Sequence, residues 1–364
     1  MDDDNTRGSK RQRVLQDDVF FLYEGGKVAE ERRRELTRVR VGAQVKDIPP
    51  RTFRGCTNLT EVQFVEEGAL YSIGECAFGG CKALQQVTIP SSVAKLGTCA
   101  FCDCINLAHV QLNDGLNIIG DDAFSGCEAL QQMTIPSSVT KLGSSAFDHC
   151  INLARVQLND ALQDIGNHGF NGCTALRSVA VPSSVTKLGD FAFQGCTNLA
   201  ELHLSPRRQT RGRESGRLQV IGHGGFSGCE ALHQVTIPST VTKLEYGAFR
   251  GCINLKAVQL KEGLKNVGDY AFQDCKALQQ VTIPSSVAMF GTGSFKKCIN
   301  LAAVQFEEGP LEVIGENTFQ ECTALQRVAI PSNVTEVGNC AFYGCINLAE
   351  LHLSPRRRTR RKGG

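Results

Sequence analysis

Closely spaced cysteines are the residues of this sequence that most resemble a chemical site. Cys99, Cys102 and Cys104 form a C-x-x-C-x-C motif, and thiolates at such spacing are ligands for soft metals. Cys76 stands 23 residues before Cys99, and thiols on stacked coils lie within the range of a disulfide. The motif therefore indicates a metal site, a redox-labile Cys76–Cys99 pair, or structural thiols.

Most of the cysteines belong to a repeat, which favours the structural interpretation. Thirteen of the seventeen follow a phenylalanine by three residues and precede a leucine by three. They are Cys56, Cys81, Cys104, Cys127, Cys150, Cys173, Cys196, Cys229, Cys252, Cys275, Cys298, Cys322 and Cys345. Buried free cysteine behaves as a small hydrophobe. We therefore expect Cys104 to point into the core and predict no metal site; a column of free thiols favours a reducing compartment.

No recurrent motif for catalysis accompanies the cysteines. The chain lacks a Gly-x-Ser-x-Gly elbow, a His-Glu-x-x-His zinc motif, a Walker loop and a dinucleotide fingerprint. Its seven histidines fall at variable repeat positions and pair with no recurrent acid. We predict that the protein is not an enzyme and that it has no catalytic residues and no cofactor.

The repeat defines the elements that position all of these side chains. In one coil, the segment from Leu84 to Ile89 alternates apolar and polar residues as a strand does, and Pro90 then ends it. The segment from Gly97 to Cys104 is too short for a full helix, so we predict a single α or 3-10 turn there. A fixed period of about 23 residues predicts stacked coils with parallel strands rather than a globular core.

The repeats also predict the organisation of the chain. Residues 1–35 would form a disordered start and an N-terminal cap, and residues 36–204 the first part of the array. An Arg-rich insert at 205–217, a second part at 218–353 and a basic tail at 354–364 complete it. The coils from Phe78 to Phe193 correspond to those from Phe226 to Phe342, which indicates a tandem duplication of a six-coil unit.

Repeats of the form Ile-Pro-Ser-Ser-Val-Thr-x-Leu-Gly-x-x-Ala-Phe-x-x-Cys-x-x-Leu resemble the BspA-like (treponemal-type) leucine-rich repeats, over roughly residues 36–353. The resemblance implies an α/β fold, a right-handed leucine-rich-repeat solenoid with one short parallel strand and a short helical or 3-10 turn per coil. It also implies protein binding or surface adhesion, without a shared catalytic site.

A binding surface is expected on the parallel strands, where the two residues flanking each central valine point outward. The candidate protein-binding residues are His109, Gln111, Gln132, Arg155, Gln157, Glu201, His203, Gln259, Gln305 and Arg327. This surface is polar and free of aromatic residues, so we expect a weak or multivalent contact. A solvated ladder of glutamine and threonine is the alternative.

Charge is separated along the chain although the net charge is only +2. Residues 51–204 and 218–353 carry 17 Lys and Arg against 26 Asp and Glu, whereas the insert and the tail are rich in arginine. The candidate electrostatic residues are Arg207, Arg208, Arg211, Arg356, Arg357, Arg358, Arg360 and Arg361. No aromatic residues are interleaved with them, so sequence-specific nucleic-acid binding is not expected.

The favoured function is therefore a non-enzymatic scaffold that binds a protein partner on the strand face. A cell-surface adhesin and an electrostatic nucleic-acid binder acting through the arginine segments are the alternatives. No run of 18 apolar residues and no apolar leader is present, so we expect no membrane insertion and an intracellular location, cytoplasmic or nuclear.

Overall fold

The computed structural model describes residues 20–204 and 217–353, which form one stack of coils. Each coil contributes a long strand of three or four residues and then, on another side, a short strand of two residues. The parallel solenoid expected from the repeat is thus confirmed, with about 23 residues between equivalent strands.

The long strands define one side of the stack, called here the long-strand face. They are β1 Phe21–Tyr23, β2 Arg38–Val41, β4 Glu61–Gln63, β6 Gln86–Ile89, β8 His109–Leu112, β10 Gln132–Thr134, β12 Arg155–Gln157, β14 Ser178–Val181, β16 Glu201–Leu204, β18 Gln234–Ile237, β20 Ala257–Leu260, β22 Gln280–Ile283, β24 Ala303–Phe306, β26 Arg327–Ile330 and β28 Glu350–Leu353. They form parallel sheets of five, four and six strands.

The short strands form a second side. They are β3 Asp47–Ile48, β5 Ser72–Ile73, β7 Lys95–Leu96, β9 Ile118–Ile119, β11 Lys141–Leu142, β13 Asp164–Ile165, β15 Lys187–Leu188, β17 Val220–Ile221, β19 Lys243–Leu244, β21 Asn266–Val267, β23 Met289–Phe290, β25 Val313–Ile314 and β27 Glu336–Val337. Eleven of them make one continuous parallel sheet, and β25 pairs with β27.

Proline makes the number of paired residues differ between successive junctions of the long strands. The N–H of Lys261 donates to the carbonyl of Ile237 in the preceding coil at 3.2 Å, whereas Pro182 and Pro284 occupy the same repeat position and have no N–H. Accordingly β14 and β16 pair over four residues, but β12 and β14 pair over one. Extensive and short pairings therefore alternate between successive long strands in this part of the stack.

The helical turn expected in each coil is absent from the described repeats, and residues 98–103 form turns instead. Every second N–H group of this segment bonds to the next coil. The N–H groups of Cys99, Phe101 and Asp103 donate to carbonyls of that coil at 2.7–2.8 Å. Cys99 and Asp103 also take left-handed φ values of 53° and 55°. A helix needs successive N–H groups to bond within the segment, so this segment forms a third ladder along the stack instead. The described residues contain one helix, α1 Glu30–Arg33, before β2.

A column of stacked phenylalanines forms the centre of the core. From Phe53 to Phe342, successive rings lie 5.1–5.7 Å apart with interplanar angles of at most 16°. Phe193 and Phe226 stack at 5.3 Å although the insert separates them in sequence. The core therefore continues across the insert. Tyr23 packs edge-on against Phe53 at 5.0 Å at the N-terminal end of the column.

Candidate protein-binding face

The alternation of each long strand separates core residues from surface residues. In β6, Val87 and Ile89 are buried while Gln86 and Thr88 are exposed. All ten candidate protein-binding residues lie on long strands, and all ten are exposed. Their placement agrees with the sequence prediction.

In-register pairing arranges these side chains in two columns along the stack. Gln86 pairs with His109 and Thr88 with Gln111, so side chains from successive coils stand beside each other. One column contains His109, Gln132, Arg155, Glu201 and Arg327, and the other contains Gln111, Gln157, His203, Gln259 and Gln305. Strands pair about 4.8 Å apart, so each column presents one outward side chain at about that interval.

The side chains of the columns make weak contacts in the middle and C-terminal coils. Thr236 donates to Gln259 Oε1 at 3.3 Å, and Gln111 donates to Asn113 at 3.2 Å. Arg327 Nε lies 3.2 Å from Glu350 Oε2, with both side chains largely exposed. Exposed pairs of this kind add little stability, so these side chains are not needed to hold the coils together.

The N-terminal end of the face is charged and more tightly connected. Arg38 bonds Glu61 Oε2 at 2.7–2.8 Å, and Arg40 bonds Gln63 Oε1 at 2.9–3.1 Å. Both guanidinium groups also lie over the Phe20 ring, at 4.1 and 4.6 Å from its centroid. These residues extend the same two columns but were not among the sequence candidates. The signal was present, since Arg38-Val-Arg40 and Glu61-Val-Gln63 flank a central valine as the other strands do.

Glu61 is held ionised by these contacts. Its partial burial acts to raise the pKa, but hydrogen bonds from Gln63 and Arg38 and the charges of Arg38 and Arg40 lower the pKa of Glu61 below its ordinary value. The carboxylate therefore presents a fixed negative charge on this part of the face.

Two shallow depressions follow on the long-strand face. One of about 350 Å³ lies between β4 and β6 and is lined by Glu61, Gln63, Phe64 and Thr88 among others. The next, of about 170 Å³, lies against β6, β8 and β10 and includes His109, Gln111 and Gln132. Candidate residues and the charged N-terminal residues thus border one continuous part of the surface.

Comparison with known protein families identifies the repeat. The profile of the BspA type leucine rich repeat region (6 copies) matches residues 31–152, 117–215 and 219–354. The chain belongs to the BspA-type leucine-rich-repeat family. A comparison with curated proteins finds no significant match.

Three solved structures of bacterial proteins share this fold. A leucine-rich repeat protein of Bacteroides ovatus is 25% identical, with a TM-score of 0.67 over 90% of this chain and 81% of that one. A leucine rich cell surface protein of Faecalibacterium prausnitzii is 25% identical, with a TM-score of 0.50 over 93% and 90%. A leucine-rich repeat protein of Eubacterium ventriosum is 21% identical, with a TM-score of 0.53 over 92% and 88%, and shows the fold alone.

The three thiols of the C-x-x-C-x-C motif in this BspA-type array do not point toward one common site. Cys104 is fully buried and its thiol donates to the carbonyl of Phe78 at 3.2 Å, whereas Cys99 and Cys102 lie half-buried at the turn edge. Within residues 20–204 and 217–353, no group of three His, Cys, Asp or Glu side chains is arranged to hold a metal ion.

All eight candidate electrostatic arginines, Arg207, Arg208, Arg211, Arg356, Arg357, Arg358, Arg360 and Arg361, lie outside the described residues. Of the insert, only Arg217 is described, and its N–H donates to the carbonyl of Ser183 at 3.0 Å. Among the described parts of the chain, no helix has the length and apolarity needed to cross a membrane.

Proposed function

We propose that this protein is a non-enzymatic scaffold that binds a protein partner along the long-strand face. The observation that supports this function is the contrast between the two sides of each long strand. Inward positions keep the same apolar residue types from coil to coil, whereas outward positions carry Gln, Thr, His, Arg, Glu and Ala in changing order. Residues that the core does not constrain and that stand in register can be varied to fit a partner.

The N-terminal part of the face is the best place for the centre of such a contact. It combines the charged group around Arg38 and Glu61 with the depression beside Phe64. Arginine and aromatic residues supply most binding energy at protein interfaces. The glutamine and threonine columns farther along would add many weak contacts, as in multivalent recognition.

Introduction of negative charge on the long-strand face, with a control on another side of the stack, tests this function. The face variant carries Gln111→Glu, Gln157→Glu and Gln259→Glu, all on the long-strand face. The control variant carries Asn117→Asp, Gln163→Glu and Gln219→Glu, which are exposed and precede short strands. Each variant introduces three carboxylates at exposed amide positions, so solubility and net charge change equally.

Tagged wild type and both variants are used to capture proteins from lysate, and the captured proteins are quantified by mass spectrometry. We expect wild type and the control variant to retain the same partner and the face variant to lose it. Equal capture by the face variant, or loss only in the control variant, would place the binding surface elsewhere on the solenoid.

Surface adhesion is the second candidate, favoured by the likeness to the cell surface protein of Faecalibacterium prausnitzii. An adhesin would use the same long-strand face outside the cell, whereas the scaffold is proposed to act inside it. Labelling of intact cells with a membrane-impermeant biotin reagent distinguishes the two. Labelled protein on unbroken cells supports the adhesin, and labelling only after lysis supports the scaffold.

A further inference from the structure

Three thiols meet at the turn edge of two adjacent coils, away from the long-strand face. Cys76 and Cys99 each stand two residues before a phenylalanine of the stacked column, and both take left-handed φ values, 49° and 53°. The N–H of Cys76 donates to Thr98 O and that of Cys99 to Asp121 O, each at 2.8 Å. These bonds fix the two cysteines at equivalent positions of neighbouring coils.

The fold does not require cysteine at this repeat position. Other coils place Ser145, His168, Phe191 or Gly224 there. A left-handed backbone favours glycine, asparagine or aspartate and disfavours most other residues. Two successive cysteines at this position are therefore not required by the fold.

The neighbours of the two thiols differ in charge. On one side of Cys76 stands Arg51, at the same repeat position in the preceding coil. Its guanidinium bonds Glu75 Oε1 at 2.9 Å and also lies within electrostatic and hydrogen-bonding reach of the Cys76 thiol. On the far side of Cys99 stands Asp122. Burial first, and then the charges of Cys76 and Asp122, raise the pKa of Cys99. Arg51 thus lies beside Cys76 and Asp122 beside Cys99, and an attacking thiolate is favoured by a nearby cation.

Cys102 completes the cluster. A side chain at Gly79 would place its Cβ 3.1 Å from Cys102 Sγ and 3.6 Å from Cys76 Cβ. The absence of a side chain at Gly79 thus leaves the space in which the Cys102 sulfur lies. Cys102 also interacts with the Cys99 thiol, and burial raises its pKa strongly, so it is poorly suited to react as a thiolate.

We propose that Cys76 and Cys99 form a thiol oxidation site at which a hydroperoxide closes a disulfide between the two coils, with Cys76 as the attacking thiol and Cys99 as the resolving thiol. Equivalent atoms of stacked coils lie about 4.8 Å apart, within the Cα separation that a disulfide accepts.

The reaction has two steps. The Cys76 thiolate attacks the terminal oxygen of the hydroperoxide, the O–O bond breaks, and the alkoxide leaves as an alcohol, or water, after taking a proton from solvent. The Cys99 thiol then attacks the sulfenic sulfur of Cys76, loses its proton, and releases the hydroxyl as water. Both sulfurs are oxidised to the disulfide, and the hydroperoxide is reduced.

The test uses the full-length protein in which Cys340 is replaced by serine. Cys340 occupies the same repeat position and is exposed, but its preceding neighbour is Asn317 rather than cysteine. This C340S protein, C76S, C99S and C102S in the same background are treated with hydrogen peroxide in the folded state, alkylated, and digested with trypsin without reduction. An inter-coil bond joins peptide 55–82 to peptide 96–141, whereas a Cys99–Cys102 bond lies within 96–141.

We expect the inter-coil linkage in C340S and in C102S, no linkage in C76S, and a trappable sulfenic acid at Cys76 in C99S. Failure to lose two thiols in the C340S protein, or a bond only between Cys99 and Cys102, would overturn the proposal.

The roles of the two thiols are tested separately with Arg51→Gln and its control Arg54→Gln, another exposed arginine of the same coil. Oxidation should slow several-fold in R51Q alone, and an unchanged rate in R51Q would show that Cys76 is not selected by that charge.

Discussion

The buried cysteine column and the turn-edge cysteines show how repeat position gives one residue type two different environments. In the column, each thiol from Cys81 to Cys345 donates to the carbonyl of the phenylalanine in the preceding coil, at 3.1–3.3 Å. At the turn edge, Cys76, Cys99 and Cys102 are half-buried and contact one another or charged groups.

The column explains why a cysteine, rather than an aliphatic residue, suits the interior. The carbonyl of Phe170 accepts the N–H of Cys173 in its own coil at 3.3 Å. The Cys196 thiol donates to the same oxygen at 3.2 Å. A carbonyl has two lone pairs, so the thiol fills the core and also uses the second lone pair. Position in the repeat thus determines whether a thiol is buried and hydrogen-bonded in the core or half-buried at the turn edge.

Buried and exposed cysteines should differ most in their rates of alkylation. Burial raises the pKa of Cys196 and of Cys252 to about 12, so at about pH 8 their thiolate fraction is roughly one in ten thousand. Cys340 is exposed. We expect iodoacetamide to label Cys340 at least ~1,000-fold faster than Cys196 in the folded protein.

The measurement is pulse alkylation followed by peptide mass spectrometry. Labelling of Cys196 should also rise about tenfold per pH unit while the fold persists, because the thiolate fraction does. Comparable rates for Cys196 and Cys340 at neutral pH would show that the column opens readily. Alkylation of the denatured chain, where all thiols react alike, is the control.

Glycine substitution should lower the free energy of unfolding at Cys196 in the buried column and raise it at Cys99 at the turn edge. Cys196→Gly removes a fully buried side chain and its hydrogen bond and adds backbone freedom to the unfolded chain, so we expect a loss of about 3 kcal/mol. Cys99→Gly relieves a left-handed backbone, so we expect a gain of up to about 1 kcal/mol.

The free energy of unfolding in urea, followed by circular dichroism under reducing conditions, checks both values. A loss at Cys99 as large as that at Cys196 would mean that the turn-edge thiol contributes to packing. A stability of Cys196→Gly equal to wild type would contradict the structural role of the column.

The period of the sequence was sufficient to predict the parallel strands, the register and the inward direction of Cys104. Those features depend on which residues recur, and recurrence is visible in the chain. The position of Gln111 and Gln157 on the outer side of their strands followed from the same alternation.

The turn segment was predicted wrongly because its conformation depends on contacts between coils. Spacing alone made Ala100, Phe101 and Cys104 consistent with one helical turn. In the structure the N–H of Phe101 donates to Ala123 of the next coil at 2.8 Å, and Asp103 is left-handed. Similarly, the contact of Arg51 with Cys76 depends on the stacking of a coil that lies before the first complete repeats.

The smallest expected effect comes from two substitutions at Cys196. They separate the contribution of the thiol hydrogen bond to stability from that of the buried side-chain volume. Cys196→Ser keeps a donor that can reach the Phe170 carbonyl, whereas Cys196→Ala removes it. If the thiol hydrogen bond contributes to stability, serine should be the less destabilising of the two by up to about 1 kcal/mol. If the position requires only apolar volume, serine should be the more destabilising substitution, because burying a hydroxyl costs free energy.

The same two substitutions at Cys99 should differ by less than about 0.5 kcal/mol, since that side chain reaches solvent. The sign of the difference at Cys196, measured by urea unfolding against the Cys99 pair, decides between a bonded column and a merely apolar one.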